Sequence, residues 1–394
     1  MIRFFAIFNL LIVCGANVFG QQTNTETHTK NKAVLSNSNY NNINPAANEL
    51  NNPTQDVRSQ GYYKTEADAF ERQAKEQPQS SQAWLNLYKS SLYSYYTSSS
   101  KNLSATQKQE LNEILEEMKA KVPGSFEYNI AVYLNGQHNT SLIANLARAA
   151  EVNPNQLDVL EQYVAYYAIT DNDAKLKEYV QKHRKVSKYE SFIDEYAYNL
   201  LQSLDNNGVL FTHGVMDTYP VYNQQLNQKV NAGIEIINID YLNSETYRDA
   251  LAKRLGIAIS FNGNTYATAF DIASKLEATR SVYFSSAFSK AELKKHEAKL
   301  ELNGLAFRYG TAKPDATKIE SLWSGKFKKD QLEKTNMSDD YAKKMANNYL
   351  PVLITVYKFY TAENKDKEAA NAKSLAIKIA KINGNEKQVN ELFN

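Results

Sequence analysis

Apolar positions along the chain change their period twice. Over residues 65–204 they recur at helical spacing. In TEADAFERQAKEQPQSSQAWLNLYKSSLYSYY, Phe70 stands eight residues before Pro78 and Trp84 six after it, with Leu87 and Tyr88 following. The frame returns in LARAAEVNPNQLDVLEQYVAYY, where Leu146, Ala149, Pro154, Leu160 and Tyr167 hold the matching places. Between them SATQKQELNEILEEMKAK predicts a helix capped by Ser104 or Thr106. Near Asn206 short apolar runs take over. GVLFTHG and IEIINIDYL read as buried strands, each followed by a helix, DTYPVYNQQLNQKVNAG and SETYRDALAKRLG. ISFNGNTYATAFDIASKLE adds a turn and a third helix. RSVYFSSAFSK and ELNGLAFRYGT are two further strand candidates, joined by the charged helix AELKKHEAKL. After residue 316 helical spacing resumes as a hairpin: Tyr341, Met345, Leu353, Val356 and Tyr360 line one helix, and Leu375, Ala376, Ile379 and Ala380 the facing one. Pro351 is expected to kink the first helix and Asn383-Gly384 to end the second.

The two proline junctions resemble those between tetratricopeptide repeats, although Pro78 and Pro154 are 76 residues apart, which is no multiple of 34. Strand and helix in alternation indicate parallel pairing. The predicted fold class is therefore mixed α and α/β: a helical-repeat (tetratricopeptide-like) domain over 61–204, a small parallel-sheet α/β domain over 205–315, and a C-terminal helical hairpin region over 316–394.

The first 60 residues stand outside this pattern. Residues 1–20 read as a signal peptide: Arg3, an apolar run over 4–13, then Val18-Phe19-Gly20 before a mature start at Gln21. The rival is a lipoprotein signal lipidated at Cys14, with Val13 where a small residue is normal. Residues 21–60, including NSNYNNINPAANELNNP, form a polar leader too poor in apolar groups to offset its ordering entropy, or a tether to membrane or partner. The expected location is outside the cytoplasm, in the periplasm. Cys14 is the single cysteine, so cleavage leaves no disulfide, thiolate or Cys-zinc chemistry. No later stretch reaches the ~18 consecutive apolar residues of a membrane span.

Composition narrows the partners. Lys and Arg number 45 against 43 Asp and Glu, a net charge of +2 with no strongly basic block, which speaks against nucleic acid. Twenty-seven tyrosines suit wide amphipathic interfaces. The runs KKHEAK and KFKKD alternate with acids and read as solvated helical faces.

From residue 204 onward the motifs resemble the soluble C-terminal region of a Bacteroidota-rich family of large membrane proteins. That family, formerly a domain of unknown function, is akin to protein O-mannosyltransferases. Its members carry LFTNGDNDTYP, here Leu210-Phe211-Thr212-His213-Gly214-Val215-Met216-Asp217-Thr218-Tyr219-Pro220. A strand like VRVVNLSLL is matched by IEIINIDYL, an Ile-Tyr-Phe strand by Ser281-Val282-Tyr283-Phe284, and LEGLAYR by residues 302–308. His213 replaces an Asn and Val215-Met216 an Asp-Asn pair. The family's catalytic membrane half has no counterpart in the sequence, so the resemblance implies an accessory module and does not imply an enzyme.

Residues 212–219 fall at the carboxyl end of a strand, where α/β folds favour ligands. Thr212, His213, Asp217, Thr218, Tyr219 and Asp240 are the candidate ligand-binding residues. Helix capping by Asp217 or Thr218 would account for the acid and the hydroxyl without any ligand. His213 with Asp217 and Asp240 could instead hold a divalent cation. His28, His138, His183 and His296 read as solvated surface groups. No phosphate loop, GxSxG or HExxH occurs. Trp84, Tyr88, Tyr163 and Tyr167 are the candidate partner-binding residues. The expected function is that of a non-catalytic exported envelope protein without cofactors, an accessory subunit of a membrane-associated secretion, assembly or glycosylation complex. The alternatives are a glycan or small-ligand binder using the 212–219 strand end, and a metal-assisted hydrolase or transferase.

Overall fold

A computed structural model describes residues 58–96, 103–310 and 315–393, so the predicted signal peptide, Cys14, His28 and most of the polar leader lie outside the described residues. The chain divides into two compact units that meet in sequence between Asn135 and Gly136.

The first unit is helical: α1 Gln60–Glu76, α2 Ser81–Tyr96, α3 Ala105–Lys121 and α4 Phe126–Asn135. Ser59 starts α1 by accepting the Tyr62 N–H, and Ser104 starts α3 through a reciprocal capping box with Gln107. Pro78 lies in the turn between α1 and α2, and the Trp84 indole donates to its carbonyl at 3.0 Å. Tyr63, Phe70 and Ala74 of α1 are buried, as are Trp84, Leu87 and Tyr88 of α2, with which α1 packs.

The second unit opens with α5 Ile143–Val152, α6 Leu157–Ile169, α7 Asp173–Ser187 and α8 Ser191–Gln202. Pro154 falls between α5 and α6 as Pro78 does between α1 and α2. Five strands follow: β1 Val209–Thr212, β2 Glu235–Asn238, β3 Val282–Ser285, β4 Leu300–Asn303 and β5 Ala306–Tyr309, in the order β2-β1-β3-β5-β4. The sheet is parallel only in its first half, where Leu210 pairs with Ile236 and Tyr283. It is antiparallel across β3, β5 and β4. ELNGLAFRYGT is not one strand but a hairpin. Gly304 takes φ +63, a left-handed conformation that lets Gly304-Leu305 reverse the chain. Helix α9 Val215–Tyr222 follows β1, and α10 Glu245–Leu255 and α11 Thr265–Leu276 follow β2. The predicted helix DTYPVYNQQLNQKVNAG stops short: after Pro220 it widens into a π turn at Asn223–Asn227. The charged helix AELKKHEAKL likewise shrinks to α12 Lys290–Lys295 and a 3-10 turn. Phe211 and Phe284 stack at 4.9 Å, and Phe270 of α11 stacks on Phe284 at 4.4 Å, which fills one face of the sheet.

The C-terminal part carries α13 Ala316–Gly325, α14 Asp330–Lys334, α15 Asp340–Ala346, α16 Leu350–Ala362, α17 Asp366–Ile382 and α18 Glu386–Asn390. α16 and α17 pair as the expected hairpin. Pro351 does not kink α16. It sits in the first turn, where its missing N–H has no intrahelical partner to lose.

Two acids, one capping α8 and one within it, fasten this part to α8. Glu190 accepts the Ser338 N–H and hydroxyl and the Asp339 N–H. Glu195, 7% exposed, accepts the N–H groups of Gln331 at 2.9 Å and Leu332 at 2.9 Å. Glu195→Ala strands both donors. The expected loss is about 2–4 kcal/mol in urea unfolding, and an unchanged midpoint would refute the role.

Candidate functional site

The parallel strands β2, β1 and β3 end on one edge, with β1 between the other two. The chain crosses from β1 to β2 on one side and then back past β1 to β3 on the other, so the crevice of an α/β fold should open between β1 and β3. Four-residue strands with unbroken apolar runs suit this position, because both faces are covered.

The edge is built on Gly214. Its φ of +76 would strain any side chain, and as N-cap of α9 it has no side chain to cap the helix. Acids from further along instead accept the N–H groups of the turn itself, His213 and Gly214. Asp217 Oδ2 accepts the His213 N–H at 3.1 Å, while Oδ1 accepts the Ser285 hydroxyl at 2.7 Å, which bridges β1 to β3. Asp240 follows β2. Its Oδ2 accepts the Gly214 N–H at 2.9 Å, and its Oδ1 lies 3.3 Å from His213 Nε2. Thr218 donates to Thr212 at 2.8 Å. Tyr219 donates to the Glu161 carbonyl at 2.7 Å, and the Tyr241 hydroxyl donates to Tyr219 at 3.2 Å. Neither Asp217 nor Thr218 is thus the N-cap of its own helix, as local pattern suggested. Asp217 reaches back past the cap and out to a third strand.

Burial decides what this arrangement can do. Thr212, Thr218 and Ser285 are 0% exposed and Asp217 2%. Burial pushes the Asp217 carboxyl up to about 6, against the opposite pull of the Ser285 and His213 hydrogen bonds and of the nearby His213 and Lys290. A carboxyl near 6 is a common mark of acid-base catalysis. Here the side chain is almost wholly buried, and its oxygens are committed to a backbone and a hydroxyl donor. His213 and Asp240 alone keep partial exposure. Among the described residues no three His, Cys, Asp or Glu side chains gather as a metal site, since Asp240 faces His213 while Asp217 turns to Ser285.

The structure thus brings all six strand-end candidates together, and adds Ser285, Lys290, Asn348 and Tyr196, which sequence did not single out. Ser285 could have been noticed as a hydroxyl ending a buried strand. Lys290 donates to Asn348 at 3.1 Å and Asn348 to the Tyr196 hydroxyl at 3.2 Å, so the C-terminal part covers this region. Contacts across 58 and 152 residues leave no local signal.

Other assignments change. Trp84 and Tyr88 are interior residues of the first unit, so they present no surface to a partner. Tyr163 and Tyr167 stack at 5.7 Å and share Tyr179 from α7, with Tyr167 and Tyr179 half-buried. His183 is no surface group: it is 1% exposed, edge-on to Tyr219. His296 is half-buried and stacked on Phe270 at 3.6 Å. His138 is half-buried, edge-on to Tyr241, and desolvation lowers its pKa.

Residues 193–268, from α8 into α11, match the family model of TMEM260-associated domain 2. The stretch includes LFTHGVMDTYP and IEIINIDYL and stops before the Val282 strand and the β4–β5 hairpin. It is similar to a domain family associated with membrane proteins. No curated protein and no solved structure matches the chain. Among the described residues no helix is long and apolar enough to cross a membrane.

Proposed function

We propose that this chain is a non-catalytic accessory protein of the cell envelope, exported by residues 1–20, that serves a membrane-embedded secretion, assembly or glycosylation complex. One observation carries the reading: Asp217, the acid best tuned for chemistry, is sealed at the β1–β3 crevice and spent on tying strand ends together. The similarity of residues 193–268 to a domain of membrane-associated proteins supports it. Helical turns at Pro78 and Pro154 fit a repeat-type docking scaffold. Tyr167 and Tyr179, half-buried and stacked with the buried Tyr163, are the partner-facing residues of this scaffold.

Site-specific cross-linking from Tyr167 in intact envelopes tests the proposal. The expected product joins the chain to a multispanning membrane protein. Turnover of a substrate by the purified chain, abolished in His213→Ala or Asp240→Ala, would overturn it.

A further inference from the structure

The run KFKKD does not behave as its alternation of charges suggests. In KKHEAK the lysines find acids: Lys295 pairs with Glu292 at 2.8 Å and Lys299 with Glu277 at 3.0 Å. Lys326, Lys328, Lys329 and Lys334 form no ion pair among the described residues, although Asp330 and Glu333 stand beside them in sequence. The Lys328 amine lies 3.9 Å over the Tyr198 ring, and the Lys329 amine lies 5.0 Å over Trp323 while donating to the Trp323 carbonyl at 3.1 Å. Lys326, Lys328 and Lys334 are exposed.

The backbone beneath them is anchored. Asn199 holds both the N–H and the carbonyl of Lys328, at 2.8 and 2.7 Å, and Trp323 and Phe327 are buried. Four lysines against Asp330 and Glu333 leave a net charge of +2 over residues 326–334, presented on a fixed support. Lysine is a hydrated point charge without the planar fork of arginine, and the segment contains no arginine. Such a surface suits a diffuse sheet of negative charge better than one directed carboxylate or phosphate contact.

We propose that residues 326–334 form an electrostatic docking face for an anionic phospholipid surface. The face stands independently of the accessory reading: if cross-linking to a membrane protein persists while lipid binding fails, this proposal alone falls.

The test is sedimentation of the full chain with vesicles of phosphatidylglycerol in phosphatidylcholine, against phosphatidylcholine alone. The expected result is binding to the anionic vesicles only, weakening as salt shortens the range of the charges. Each surface lysine contributes about fivefold to partitioning, so K326Q/K328Q/K329Q should bind roughly a hundredfold more weakly. K294Q/K295Q/K299Q changes net charge equally and should bind like the parent chain. K326R/K328R/K329R restores charge and should bind too, which separates electrostatics from misfolding. Equal losses in both glutamine triples would reduce the effect to net charge and overturn the proposal. Binding to polyglutamate without binding to anionic vesicles would overturn it in favour of an acidic protein partner.

Discussion

Asp217→Asn is expected to stabilise the protein at pH 8, by roughly 2–3 kcal/mol, and to leave it near the parent value at pH 4. The carboxyl is buried, and its pKa rises from 3.8 to about 6. An acid with a raised folded-state pKa binds more protons folded than unfolded between those values. Stability from this group is therefore fully present below pH 4 and falls as pH rises to 6, by about 1.4 kcal/mol for every tenfold difference in proton affinity between the folded and unfolded chain. Asparagine has the same shape. Its carbonyl can accept the His213 N–H and its amide can donate to Ser285, so the bridge between β1 and β3 survives without the buried charge. Asp217→Ala strands the His213 N–H and the Ser285 hydroxyl and leaves a void, and it should lie below the asparagine variant at every pH. Urea unfolding between pH 4 and 8 measures both. A parent profile that is flat through this window, or a destabilised asparagine variant at pH 8, would show that the ionised carboxylate itself is needed. The corner would then have to be reread as a working site.

Asn199→Ala should cost about 3–5 kcal/mol, the largest loss from one polar side chain here. Asn199 is 0% exposed and makes three bonds: it accepts the Lys328 N–H at 2.8 Å and donates to the Lys328 carbonyl at 2.7 Å and the Tyr349 hydroxyl at 2.8 Å. It stands in for a strand neighbour, giving an isolated peptide group both of its hydrogen bonds. Alanine strands three groups in a site where water does not replace them. Asn199→Asp should be as damaging, because an ionised acid cannot donate to the Lys328 carbonyl. Amide exchange should accelerate first at Lys328, and lipid docking through residues 326–334 should weaken with it. Slow exchange at Lys328 in the alanine variant would mean that burial of Trp323 and Phe327 holds the segment without Asn199.

The acids of α8 follow the same logic as Asp217 and Asn199. Glu190 and Glu195 begin a helix whose sequence, SFIDEYAYNLLQ, reads as an ordinary amphipathic stretch. Their partners lie 136–149 residues away. Glu190, Glu195 and Asn199 thus satisfy backbone groups far away in sequence, which favours rigidity over chemistry.

What the residues determined locally came through intact. The helix starts at Ser104 through its own capping box, and the α16–α17 hairpin follows its apolar stripes. The first three strands sit where short apolar runs end in hydroxyls or amides. Periodicity records which face of an element is apolar, and a cap or turn is written in adjacent residues. Which groups meet across the fold is not written there. ELNGLAFRYGT read as one strand because a two-residue reversal at Gly304 hardly breaks its apolar run. Trp84 and Tyr88 looked fit for a partner, yet the first unit needed them inside. His183 had polar neighbours in sequence and an aromatic one in space. Asp217 looked like a helix cap, yet the hydroxyl that fixes its role comes from Ser285 on another strand. Only tertiary packing could decide these, because burial and distant partners set the energy of a polar group, and both arise after the chain has closed on itself.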